Sequence, residues 1–123
     1  MLHRDLTYTI RGAAFKVHSA LGPGLLESAY ETCLVHELRK SGCKTETQVL
    51  LPFVYDSITV RNGYRIDVLV EDSVILELKA VEATAPIHVA QLLTYMKLAE
   101  VRVGMLMNFN VKSMKDGIKR YIL

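Results

Sequence analysis

The chain has 123 residues, half of them hydrophobic and 23% charged, which excludes a disordered or fibrous protein and leaves room for one core. We therefore expect a single domain over residues 1–123. The net charge of +2 permits a nucleic-acid partner without indicating one. No apolar run approaches the roughly 20 residues that cross a bilayer, and the N-terminus lacks the apolar region of a signal peptide, so we expect a cytoplasmic protein with no membrane partner.

The spacing of apolar residues predicts two helices in the first third of the chain. The first extends from about Asp5 to Leu21, because apolar residues recur every three or four positions until LGPG interrupts the pattern. The second begins near Leu25 and ends at about Lys40, where Ser-Gly-Cys follows.

The middle of the chain has the composition of β-strands. Between residues 44 and 60, Pro52 and Asp56-Ser57 predict either two short strands or one bent strand, partly at a sheet edge. Arg61-Asn62-Gly63 contains the Asn-Gly signal of a tight turn and predicts a hairpin at that point. A second turn at residues 71–73 precedes VILELKA, so we expect a β-meander.

The last part of the chain returns to helix and then to strand. Helical spacing from Pro86 to Glu100 is followed by the apolar strand VRVGMLMNF and by a basic tail that could form a short strand or helix. This order predicts an α/β fold, a mixed sheet flanked by helices, in which the strand after the third helix is parallel to a neighbour.

Two charges interrupt the apolar strand VILELKA. Because side chains alternate across a strand, Glu77 and Lys79 are expected on one face. Asp67, on the preceding antiparallel strand, could lie beside Glu77. The alternative explanation of these charges is a solvated strand face or a surface ion pair.

Both flanking helices also carry polar residues on faces that should be apolar. Glu27 lies in line with Leu34 and Leu38, on the stripe expected to face the core, although a charge in the first turn also stabilises the helix dipole. On the third helix Gln91 and Tyr95 share a face, and a hydrogen bond at the core edge would explain them equally well.

Carboxylates that converge in a partly desolvated site repel one another unless a cation lies among them. Oxygen ligands without a matching His or Cys set suit Mg²⁺ or Mn²⁺, which also accept phosphate oxygens as ligands. A lysine beside such a metal could help to deprotonate water. The pattern therefore predicts phosphodiester hydrolysis.

The same residues resemble a known family. GLLESAY, with Gly24, Glu27 and Tyr30, matches the G-x-x-E-x-x-Y signature of the GxxExxY proteins, a branch of the PD-(D/E)xK nuclease superfamily. The resemblance covers essentially the whole chain, through FKVHSALGPGLLESAYETCLVHEL, YRIDVLVEDSVILELKAVE, HVAQLLTYMKL and VGMLMNF. It implies a restriction-endonuclease-like core, with a mixed central β-sheet flanked by α-helices, and Mg²⁺-dependent cleavage of DNA.

The resemblance also implies roles for individual residues. Asp67 matches the first metal-binding aspartate of the superfamily, preceded here by Ile66 where proline often stands, and Glu77 and Lys79 match its E-x-K element. Asp67, Glu77 and the backbone carbonyl of Leu78 would hold Mg²⁺, and Lys79 would orient or activate water. A helix glutamate that assists metal binding and a Q-x-x-x-Y motif that positions phosphate or metal ligands are matched by Glu27 and by Gln91 with Tyr95.

A catalytically silent nucleic-acid-binding or assembly module on the same fold is the alternative interpretation. Its nucleic-acid contacts would come from the basic tail, and a homodimer would widen the surface that they cover. The basic residues of the tail are Lys112, Lys115, Lys119 and Arg120.

Overall fold

The computed structural model describes residues 2–123 and contains a five-stranded sheet with helices on both faces. In chain order the elements are α1 (Arg4–Leu21), α2 (Glu27–Lys40), β1 (Thr45–Tyr55), β2 (Ile58–Val70), β3 (Val74–Lys79), α3 (Pro86–Ala99), β4 (Val103–Asn108) and β5 (Ile118–Ile122). A single 3-10 turn at Met114–Asp116 precedes β5. The predicted helices are therefore confirmed, with ends that differ by one or two residues.

The sheet has the strand order β1-β2-β3-β4-β5 and is mixed. Strands β1, β2 and β3 form the expected antiparallel meander, and β5 is antiparallel to β4. Strand β4 is parallel to β3 because α3 carries the chain back across the sheet between them. This confirms the α/β class, and β1 lies at a sheet edge as predicted.

Side-chain alternation in β3 divides the core between the two faces of the sheet. Val74, Leu76 and Leu78 pack with the cluster that α1 and α2 cover. Ile75 packs on the opposite face, against Leu92 of α3. Glu77 and Lys79 share the parity of Ile75 and therefore belong to the α3 side of the sheet.

Helix α3 lies close to the sheet because Gly104 of β4 has no side chain. A Cβ at this position would be 2.5 Å from the sulfur of Met96 and 2.9 Å from Leu92. Met96 and Leu92 are both fully buried. This close approach sets the height of Gln91 and Tyr95 above the sheet.

The predicted hairpin turn at Asn62-Gly63 is wrong. Strand β2 continues through these residues, and the chain turns at Asp56-Ser57, where Asp56 has a φ of 55°. Leu51 pairs with Tyr64 and Phe53 with Val60, so residues 61–63 lie opposite Pro52 in an irregularity of the ladder. Proline has no N–H to donate, which suits it to such a position.

Gly63 has a different function from the one that the Asn-Gly signal suggested. The Phe53 ring occupies the space that a Cβ on Gly63 would fill. The glycine therefore serves a long-range contact between β1 and β2 rather than a tight turn. No helix among residues 2–123 is long and apolar enough to cross a membrane.

Candidate active site

Asp67 and Glu77 lie on neighbouring strands at the point where their backbone pairing stops. Val68 pairs with Leu76, so residue 67 is next to residue 77 in the same register. The Leu78 N–H donates a hydrogen bond to Asp67 Oδ2 at 2.9 Å. The Asp67 carboxylate is thus held against the backbone of β3, beside Glu77.

Glu77 is the most unusual charged group in the described part of the chain. Its side chain is only 3% exposed, and its Oε1 has no hydrogen-bond partner among residues 2–123. Burial and the neighbouring Asp67 raise the pKa of Glu77 to about 8, although Lys79 acts in the opposite direction. Such a carboxyl group is protonated at neutral pH unless a cation stabilises its charged form.

Lys79 is the last residue of β3, and its main chain is held by residues at the end of β4. The Phe109 N–H donates to the Lys79 carbonyl at 2.9 Å. Asn108, buried beside Lys79 in the β3–β4 register, accepts from the Val81 N–H at 3.1 Å and donates to the Val81 carbonyl at 2.9 Å. The sequence did not single out Asn108, which anchors the segment that follows the E-x-K element.

Gln91 and Tyr95 form one polar unit on α3. Gln91 Nε2 donates to the Tyr95 hydroxyl at 2.8 Å, as the i, i+4 spacing allows. The Tyr95 ring lies 5.1 Å, centroid to centroid, from the ring of Tyr64 on β2. The hydrogen bond and the ring contact together hold the phenol in place above the sheet.

The G-x-x-E-x-x-Y segment forms a closed loop at the start of α2. Gly24 has a φ of 105°, a conformation that L side chains rarely adopt. The hydroxyl of the fully buried Tyr30 donates to the Gly22 carbonyl at 2.6 Å and accepts from the Leu25 N–H at 3.1 Å. The glycine and tyrosine of the signature therefore shape the loop, which sets the position of Glu27.

The expectation that Glu27 faces the core is wrong, because its side chain is exposed. Tyr30, Leu34 and Leu38 are fully buried, but Glu27 is the first residue of α2, and the buried stripe begins only at Tyr30. Glu27 instead lines the mouth of the cavity that contains Asp67.

All six side chains predicted for the site line this one cavity, which has a volume of about 330 Å³. They are Glu27, Asp67, Glu77, Lys79, Gln91 and Tyr95. Leu78 contributes its N–H to Asp67, while its own side chain is buried on the opposite face of the sheet. The basic residues of the tail do not line the cavity.

Four further residues line the cavity and were not predicted: Leu50, Asn62, Tyr64 and Arg65. Asn62 was assigned to a turn and was therefore not considered for the site. Arg65 could have been identified from the sequence, because it lies two residues before Asp67 and so shares its strand face. Leu50 and Arg65 are partners in the β1–β2 register, so both strands of the hairpin contribute to one wall.

Glu31 adds a fourth acid near the cavity. Burial raises its pKa, and the nearby Asp67 and Glu27 contribute in the same direction. A hydrogen bond from Gln48 Nε2 at 2.6 Å and the charge of Arg65 oppose that rise. Its position one helical turn after Glu27 could have identified it from the sequence.

The site fits a hard cation that keeps part of its water shell. Residues 2–123 contain no group of three or more His, Cys, Asp or Glu side chains placed to hold a metal ion by themselves. Asp67 and Glu77 offer two adjacent carboxylates, and the Oε1 atom of Glu77 has no hydrogen-bond partner among residues 2–123. Mg²⁺ is bound in proteins by one or two carboxylates together with waters and substrate phosphates, which matches this donor set.

Comparison with known proteins agrees with this geometry. A family model described as the PD-(D/E)XK nuclease superfamily matches residues 4–121. The match covers nearly the whole chain, which therefore belongs to that superfamily, and the mixed sheet with its flanking helices is the restriction-endonuclease-like fold. No curated protein and no solved structure gives a significant match.

Proposed function

We propose that the protein is a Mg²⁺-dependent nuclease that hydrolyses phosphodiester bonds in DNA. The observation that carries this proposal is the convergence of Asp67, Glu77 and Lys79 in one cavity, with the Glu77 carboxyl buried and incompletely hydrogen-bonded. A buried carboxyl group beside a second, half-buried acid is costly for a purely structural role, and perturbed titratable groups concentrate at functional sites. Membership of the superfamily supports the same conclusion.

Asp67, Glu77 and the Leu78 carbonyl would hold the metal ion, which could also be Mn²⁺. When bound, the ion would supply Lewis-acid stabilisation of the charge that develops on the phosphate. The hydrogen bond from the Leu78 N–H would keep the Asp67 carboxylate oriented toward the metal ion.

The remaining residues would orient the reactants. Lys79 lines the same cavity and would hold the attacking water and offset negative charge in the transition state. The Gln91–Tyr95 pair would donate hydrogen bonds to the phosphate or to a ligand of the metal. Glu27, exposed at the mouth, would bind a second metal ion or a water of the first.

A direct test incubates the purified protein with single- and double-stranded DNA and RNA, with Mg²⁺, Mn²⁺ or EDTA. We expect cleavage of DNA that requires the cation and that Lys79→Ala reduces by about 10²-fold or more. Lys97→Ala, which removes an exposed lysine from α3 outside the cavity, is the matched control. The proposal fails if wild type and Lys79→Ala behave identically on every substrate.

The silent binding module is an outcome of the same experiment. It would bind nucleic acid in a salt-dependent way without cleavage, and Mg²⁺ would not change its thermal stability. A crystal soaked in Mn²⁺ separates the two, because anomalous density between Asp67 and Glu77 is expected only for the metal-dependent enzyme. The cytoplasmic location, the single-domain organisation and a homodimer stay predictions.

A further inference from the structure

Arg65 is a cation of the cavity that the proposed chemistry does not use. It lies on β2 two residues before Asp67, so the two Cα atoms are at most about 7 Å apart. Both side chains line the cavity, but that of Arg65 is exposed whereas Asp67 is half-buried. Arg65 therefore stands at the mouth, beside the position where the reaction would occur.

Several acids line the cavity together with Arg65, yet among residues 2–123 its guanidinium forms an ion pair with none of them. Glu27, Asp67 and Glu77 line the same cavity, and the charge of Arg65 lowers the pKa of Glu31 against the larger effect of burial. Among residues 2–123, however, every ion pair closer than 4.0 Å is made by a lysine, namely Lys16, Lys40 or Lys44. Within that range the Arg65 side chain also donates no hydrogen bond, so its N–H groups are available to a ligand.

A free guanidinium at the mouth of an acidic cavity is suited to a phosphate group. Its planar fork matches two phosphate oxygens, and such charge-assisted bonds are stronger than neutral ones. The carboxylates would otherwise repel a nucleic-acid strand, and a cation at the entrance offsets part of that repulsion. An anionic ligand is thus favoured at Arg65 although three acids line the same cavity.

We propose that Arg65 is a substrate-positioning residue, which binds the phosphate next to the one that is cleaved. The reacting phosphate would lie among Asp67, Glu77 and Lys79, and a residue at the mouth is placed to hold its neighbour along the strand. This inference rests on the proposed nuclease function and assigns the contact that holds the strand in register. Loss of the contact should raise KM and leave kcat within about twofold.

Binding can be measured without turnover by fluorescence anisotropy, with Lys79→Ala as the background and a labelled short DNA strand in Mg²⁺ as the probe. Adding Arg65→Gln should raise Kd by roughly 10- to 100-fold, as expected for a lost hydrogen-bonded charge contact. Arg65→Lys should give an intermediate Kd, because lysine keeps the charge but not the fork. Arg61→Gln removes an exposed arginine from the same strand outside the cavity and should leave Kd unchanged.

A series of strands that each carry one neutral methylphosphonate linkage identifies the contacted phosphate. The neutral linkage at one position should weaken binding to the protein that retains Arg65. The same linkage should have no further effect on binding to the Arg65→Gln protein. The inference is overturned if Arg65→Gln and Arg61→Gln bind alike, if no linkage shows this dependence, or if the Lys79→Ala protein binds no strand. Cleavage that is independent of Arg65 rejects the inference alone, whereas Arg65-dependent binding without cleavage by the wild type rejects the nuclease alone.

Discussion

The Asp67 carboxylate accepts a hydrogen bond from the Leu78 N–H at 2.9 Å, at the point where the backbone pairing of β2 and β3 ends. One side chain thereby continues the contact between two strands and places a second acid next to the buried Glu77. Burial is the largest cause of the raised pKa of Glu77, and the charge of the neighbouring Asp67 is the second.

Stability should depend on pH through Glu77. Its pKa is about 8 in the folded protein against an ordinary value of 4.5, so between these values the folded state holds a proton that the unfolded state has released. Raising the pH through this window should therefore lower the free energy of unfolding, by at most roughly 5 kcal/mol. Thermal unfolding in EDTA from pH 5 to 8 measures this. Glu77→Gln should flatten the dependence, and an equally steep curve for the variant would contradict the assignment.

Mg²⁺ should stabilise the wild-type protein at pH 8. A cation that binds only the folded state at a concentration of 100 times its Kd adds about 2.7 kcal/mol to the free energy of unfolding. Asp67→Asn should abolish the increase in Tm, because asparagine carries no negative charge to bind the ion. The asparagine oxygen can still accept a hydrogen bond from the Leu78 N–H, so the contact with β3 is kept. Glu46→Gln, a half-buried change on β1 outside the cavity, should keep the full increase. Equal increases in all three proteins would show that the ion binds elsewhere.

Tyr30→Phe should loosen the loop that positions Glu27. The change removes the hydroxyl that contacts both the Gly22 carbonyl and the Leu25 N–H, and it should cost about 1–3 kcal/mol. Hydrogen exchange at the Leu25 amide should become faster by more than the global change in stability explains. Tyr8→Phe, at a tyrosine that is 79% exposed, is the control with no expected effect. Unchanged protection at Leu25 would mean that the hydroxyl does not hold the loop.

Gly63→Ala should destabilise the protein through Phe53. The added methyl group would meet the Phe53 ring, and overpacking of this kind costs about 1–3 kcal/mol. In a Phe53→Ala background the same change should be close to neutral, which a double-mutant cycle of unfolding free energies can measure. A cost that is independent of Phe53 would indicate that backbone conformation, rather than the ring contact, requires glycine at this position.

Local pattern predicted the element types well because periodicity reports directly on which side of a helix or strand is buried. The meander and the parallel β3–β4 pair followed from element order. The first hairpin turn lies at Asp56-Ser57, where a break in the strand was predicted, and not at Asn62-Gly63. Its location depends on how Pro52 and Phe53 oppose β2 across the ladder. A local Asn-Gly signal contains no information about that partner strand.

The candidate site likewise combines features that the sequence predicted with features that only the tertiary structure shows. The sequence by itself determined the set of candidate site residues, because Asp67, Glu77, Lys79, Gln91 and Tyr95 stand at positions whose spacing conflicts with a purely apolar face. Only the tertiary structure decided that Glu27 is exposed and that Glu77 is buried. Only the structure of residues 2–123 shows that Glu77 Oε1 lacks a hydrogen-bond partner there and that Arg65, at the cavity mouth, makes no ion pair within that range. Burial and pairing depend on neighbours from distant segments, and the spacing of residues along one element cannot specify those neighbours.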